Sequence, residues 1–148
     1  MTNKEIVLDI MRQQGRNDAV VLRQAAIDMT GTQIIAQERK IPLYDGMKDY
    51  SEWPVGAPVQ HDGQDYALIQ PHNASHFVGQ TPATLPALWR VLHTTDPAKA
   101  KPWVRPTSTS DLYRAGDCML WTDGTVYRSL RDTNYSPYEY AADWEVVP

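Results

Sequence analysis

Ile6, Val7, Ile10 and Met11 recur at helical spacing on one stripe, behind a Thr2-Asn3-Lys4-Glu5 segment that fits a capping box. The spacing predicts an amphipathic helix over about residues 3–14, with Gly15 as its stop. A second helix, capped by Asn17 or Asp18, carries Leu22, Ala25, Ala26 and Met29 on one face and ends at Thr30-Gly31. Thr32 then caps a third, running to about Arg39 and stopped by Pro42. Stripes this small bury little among themselves, so the helices are expected to pack on the downstream chain or on other copies of it.

From Tyr44 the pattern changes to short β runs broken by turns. Ala57–His61 and Asp65–Gln70 flank Asp62-Gly63, and Cys118–Trp121 and Thr125–Leu130 flank Asp123-Gly124, so each set reads as a hairpin. The two sets are in register. Trp53 and Gly56 reappear sixty residues on as Tyr113 and Gly116, and Asp62-Gly63 with Tyr66 reappears as Asp123-Gly124 with Tyr127 after one inserted residue. Pro82, Trp89 and Val91 return as Pro137, Trp144 and Val146. Anchors of several kinds in one order predict an internal repeat.

Composition sharpens this division. All 5 Trp and 8 Tyr lie from Tyr44 onward, against a single Phe, so the first 43 residues are built differently from the rest. The expected class is α+β: short N-terminal helices over 1–43, a first antiparallel β module over 44–92, a Pro-rich linker over 93–106 and a second module over 107–148. No apolar run reaches the ~20 residues of a membrane span, and the N-terminus lacks the apolar stretch of a Sec-type signal peptide. A net charge of −4 speaks against a phosphate-backbone binder, and one cysteine, Cys118, excludes an intramolecular disulfide.

A module of about 40 residues needs aromatic plugs to build a core. Trp53, Tyr66 and Trp89 in the first module, and Tyr113, Tyr127 and Trp144 in the second, are the expected core. The rings outside that pattern are candidates for ligand contact: Trp121, Tyr135 and Tyr138 with Asn134, and in the first module His72 and Phe77. Flat rings beside polar side chains suit sugars, whose C–H faces stack on the ring while neighbours fix the hydroxyls. The alternative is that Tyr140 plugs the core while Tyr135 and Tyr138 contact another chain.

The run Tyr113-Arg-Ala-Gly116-Asp117, Asp123-Gly124-Thr-Val-Tyr127-Arg128-Ser129, Ser136-Pro137 and Trp144-Glu145-Val146 resembles the carbohydrate-binding modules of families 5 and 12, small chitin-binding β modules. Residues 50–92 are similar to them as a more divergent copy, with Ala57 in place of the Asp. The arrangement as a whole resembles small proteins encoded beside tail-fibre genes in phages and prophages of Gram-positive bacteria. The resemblance implies a virion protein of the phage tail, assembled in the host cytoplasm, that binds cell-wall polysaccharide and contacts other tail or baseplate proteins, as a homo-oligomer. The alternative it leaves is an architectural tail component whose module aromatics make protein contacts.

No catalytic, cofactor or metal site is expected. His72 and His76 have i, i+4 spacing but follow Pro71 in a loop with no third ligand near. Cys118 falls mid-strand, where a buried inert thiol is expected. Glu139 and Asp143 lack any sign of the raised-pKa acid that glycoside hydrolysis uses, and neither a phosphate loop nor a nucleophile elbow is present.

Overall fold

The computed structural model describes residues 2–148 and is α+β: an N-terminal helical segment followed by two small β-sheets. The first helix, α1 (Asn3–Ala25), begins with the expected capping box, in which Thr2 Oγ1 accepts from the Glu5 amide and Glu5 accepts from the Thr2 amide. It does not stop at Gly15. A glycine ends a helix by turning left-handed, and Gly15 keeps a negative φ. Its cost in a helix interior, about 1 kcal/mol relative to Ala, does not break the helix. Asp18, expected as a cap, instead accepts from Gln14 Nε2 one turn earlier, at 2.9 Å. Two of the expected helices are therefore one.

Only the C-terminal part of α1 docks. Leu22 and Ala26 are buried with Ile34, Ile35 and Ile41, and this cluster closes on Ala67 and Leu92 of the first β unit. Ile6, Val7, Ile10 and Met11 stay 42–63% exposed, so the stripe that defined the helix in the sequence is not what holds it. After a 3-10 turn at Ala26–Asp28 comes α2 (Gly31–Ile35), capped by Thr30, with Gln33 completing the box; Thr32, the expected cap, pairs with Thr95. Gly31 has no alternative, because a Cβ there would stand 2.2 Å from the His93 carbonyl oxygen. Among the described residues no helix is long and apolar enough to cross a membrane.

The first sheet is antiparallel and runs β1 (Pro58–His61), β2 (Gln64–Leu68), β3 (Trp89–Val91) in spatial order. Asp62 and Gly63 both take positive φ, the conformation a two-residue I′ hairpin turn requires. The second sheet runs β4 (Lys101–Pro102), β5 (Cys118–Leu120), β6 (Val126–Ser129), β7 (Trp144–Val147). It is mixed: β4 lies parallel to β5, and the other pairs are antiparallel. The segment 93–106, expected as a linker, is built into this unit. Thr94 bridges Cys118, Pro97–Lys99 forms a 3-10 turn, and Lys101–Pro102 is the edge strand. Three prolines read as stiffness in the sequence, and a proline without an N–H is equally at home on a sheet edge.

Backbone hydrogen bonds recur between the two units. Gly56 N donates to Leu68 O and Gly116 N to Ser129 O; Leu68 N returns to Ala57 O and Ser129 N to Asp117 O. Tyr44 N donates to Gln60 O, as Trp103 N does to Leu120 O. Each unit is plugged by three rings. Tyr44 and Tyr50 stack at 5.8 Å and 9°, and Trp89 meets them edge-on at 5.9 and 5.3 Å. Trp103 and Tyr113 stack at 5.1 Å and 12°, and Trp144 meets them at 6.0 and 5.3 Å.

This corrects the expected core. Tyr50, fully buried, occupies the place that register assigned to Trp53, and its hydroxyl accepts from Asp45 N as that of Tyr113 does from Val104 N. Trp53 lies outside it, half-buried, edge-on to Tyr50 at 4.7 Å and covered by the Arg23 guanidinium of α1 at 4.3 Å. Tyr66, Trp89, Tyr113 and Trp144 are buried as expected, and Tyr127 packs half-buried against the second cluster. Tyr140 does not plug the core: it is exposed.

Candidate functional site

Trp121 follows β5 at the mouth of its hairpin, where its amide donates to Thr125 O and its own carbonyl accepts from Gly124. Its ring stands 5.1 Å from that of Tyr138, inclined by 38°, and 6.0 Å from Trp103. A strip of three rings results. Tyr138 is 70% exposed and Trp121 and Trp103 are half-buried, so the strip descends from solvent into the plug of the second unit. Sequence reasoning missed Trp103 because it fell in the supposed linker. The signal that could have found it is Tyr44, which stands twelve residues before Gly56, as Trp103 stands thirteen before Gly116.

The loop carrying Tyr138 is fixed by its own polar groups. Arg105 donates to the Asn134 carbonyl at 3.2 Å and forms an ion pair with Glu139, and its guanidinium lies 5.8 Å from the centre of the Trp103 ring. Ser136 N donates to Glu139 and Glu139 N to Ser136 Oγ, a reciprocal pair that closes the turn. The Ser136 amide and then Arg105 hold the Glu139 carboxyl below the usual carboxylate range. Deeper in, Thr133 Oγ1 donates to Asp143 at 2.7 Å and Arg131 pairs with the same carboxylate. Trp144 Nε1 donates to the Tyr135 carbonyl, tying the loop to the closing strand. Such a loop presents its rings without an ordering cost at binding.

The structure divides the other candidates. Tyr135 is half exposed and pairs with Tyr140 at 6.1 Å rather than with Trp121, so the second unit carries two separate aromatic pairs. Asn134 is exposed, directly before Tyr135. His72 is half-buried, edge-on to Phe77 and Trp89 at 5.6 and 5.5 Å, with its Nδ1 2.8 Å from the Gln70 carbonyl. His72 and Phe77 are thus packed against the first plug and are not brought together with Trp121, Tyr135 and Tyr138. Where the second unit has Trp121, the first has His61, 5.8 Å from Tyr44, and at the place of Tyr138 it has Ala83.

Among the described residues no group of three His, Cys, Asp or Glu side chains is placed to hold a metal ion. Cys118 is buried in β5 and burial pushes its thiol up, away from the reactive thiolate. A cleft of about 550 Å³ lies between α2 and the second unit, lined by Thr30, Thr32, Arg90, His93, Arg114 and Asp117. The site's chemistry is that of stacking and hydrogen bonding: rings for an apolar face, with Arg105, Glu139 and Asn134 at their border. No protein-family model matches this sequence, and no curated protein matches it significantly.

Proposed function

We propose that the chain is a non-enzymatic component of a phage tail or baseplate that binds a cell-wall glycan through its second β unit. The observation that carries this reading is the strip Trp103–Trp121–Tyr138, exposed at one end and held by a hydrogen-bonded loop. The rings stack on pyranose C–H faces, and each adds about 0.5–1.5 kcal/mol beyond its buried area, so a single site is weak and repeated copies on a particle supply the avidity. The shared backbone hydrogen bonds and three-ring plugs support reading the two units as copies of one module, the second of which kept its platform. The resemblance to small chitin-binding modules supplies the ligand class.

The test is retention on insoluble chitin and on purified Gram-positive cell walls. Alanine at the exposed Tyr135 and Tyr138 leaves the fold intact and abolishes retention; unchanged retention refutes the reading. A second reading is architectural, favoured by the undocked apolar residues at the start of α1. In that case the same substitutions impair assembly into particles and leave wall binding by the free chain unaltered.

A further inference from the structure

Asp65, on β2, is the most deeply buried acid of the molecule, with none of its surface exposed, and neither of its carboxylate oxygens receives a hydrogen bond. Lys101 of β4 places its Nζ 3.8 Å from Asp65 Oδ2, and the same Nζ is in contact with Glu38 Oε2 from the 3-10 turn at Glu38–Lys40. Lys99 reaches the other oxygen of Glu38 at 3.4 Å. Three stretches far apart in the sequence therefore meet at one point: the helical segment, the first sheet and the second.

As an ion pair this is poor design. A carboxylate stripped of water is compensated by an ammonium only at short range and with its remaining lone pairs satisfied, and Asp65 has neither. Loss of both charges removes the penalty. We propose that Lys101 and Asp65 are joined by an intramolecular isopeptide bond, with Glu38 as the proton carrier that forms it.

The step balances with the groups present. Glu38 relays a proton from the Lys101 ammonium to the Asp65 carboxylate, and the freed nitrogen lone pair attacks Cγ of the resulting carboxylic acid to form the C–N bond. A second proton passes from the nitrogen through Glu38 to the departing hydroxyl, which leaves with the C–O electron pair as water. One ammonium and one carboxylate become one amide and one water, with no oxidant or co-reactant. Nζ stands 3.8 Å from an oxygen of the carboxyl it attacks, and a side-chain movement brings it onto Cγ at the ~3–3.5 Å separation at which reacting atoms are held in productive geometry. Burial lifts the Asp65 carboxyl to about 6, against the pull of Lys101, which favours the protonated, electrophilic form. The Lys101 hydrogen bond holds Glu38 below the ordinary carboxylate range, so it starts ionised and free to take up and pass on the proton. Low polarity and exclusion of water favour the amide over its hydrolysis.

The experiment is the intact mass of the full chain under denaturing conditions, followed by proteolytic mapping. The expected mass is that of the sequence less one water, with a branched peptide joining the segment around Lys101 to that around Asp65. Lys101→Arg, Asp65→Ala and Glu38→Gln each restore the full mass. Asp62-Gly63 and Asp123-Gly124 could lose water instead by cyclising to succinimides, and that loss would persist in Lys101→Arg. Either a full-mass native chain or a dehydrated one without the branched peptide overturns the proposal. The branched peptide is sought in the native chain itself, so the outcome does not depend on any variant folding.

Discussion

Tyr50 meets Trp89 edge-on with ring centroids 5.3 Å apart, the same separation at which Tyr113 meets Trp144. Each tyrosine buries its ring in the plug and its hydroxyl accepts a backbone amide from the segment that enters the unit. The pair is thus both packing and cap, and it sets which aromatic of the first unit matters most.

Tyr50→Ala is expected to cost ~3–5 kcal/mol, the range for removing a buried aromatic, and Trp53→Ala markedly less, because Trp53 is half exposed and held by Arg23. Tyr50→Phe, which keeps the ring and orphans the Asp45 amide, costs about 1 kcal/mol. Chemical denaturation of the three variants gives the order. Equal losses for Tyr50→Ala and Trp53→Ala would return Trp53 to the centre of the plug.

The second unit depends on residues before its repeat-like sequence. A fragment of residues 93–148 retains β4, the Thr94–Cys118 bridge and the stack of Trp103 on Tyr113. It is expected to melt cooperatively, whereas a fragment starting at Trp103 loses the edge strand and melts lower or not at all. Trp144→Ala unfolds the longer fragment, since ~3–5 kcal/mol is comparable to the whole stability of so small a unit. Near-UV circular dichroism during heating reads both comparisons.

Removal of residues 1–17 strips the undocked Ile6, Val7, Ile10 and Met11 while leaving Leu22 and Ala26 in their cluster. If that face joins copies of the chain, light scattering finds an oligomer for the full chain and a monomer for the shortened one. A monomer in both cases excludes self-association through α1.

His93 stacks on Tyr113 at 3.8 Å, and its Nε2 donates to the Asp111 carbonyl at 2.7 Å. Burial lowers its pKa from the usual value. The unfolded chain therefore binds a proton that the folded chain refuses, and the stability His93 contributes is full above the unfolded pKa of ~6.5 and is lost as pH falls through the lower folded value. His93→Gln is expected to flatten this loss. Thermal melts of both chains between pH 7.5 and 5.5, conditions set by that ~6.5 midpoint, would show parallel declines if His93 were not responsible.

Periodicity and turn chemistry in the sequence determined the capping box at Thr2, both hairpins and the closing tryptophans, because each depends on residues within a few positions of one another. They also set the α+β class. The length of α1 was not legible at Gly15, since a glycine stops a helix only when the chain must turn there, and Leu22 and Ala26 are pinned from the far side by Ile34, Ile35 and Leu92. The place of 93–106 was decided by pairing: two residues of β4 form a strand only because β5 offers an edge. The candidate rings were visible as surplus aromatics. Which of them meet was not, because the approach of Trp103 to Trp121 depends on a parallel contact between segments that local pattern cannot connect.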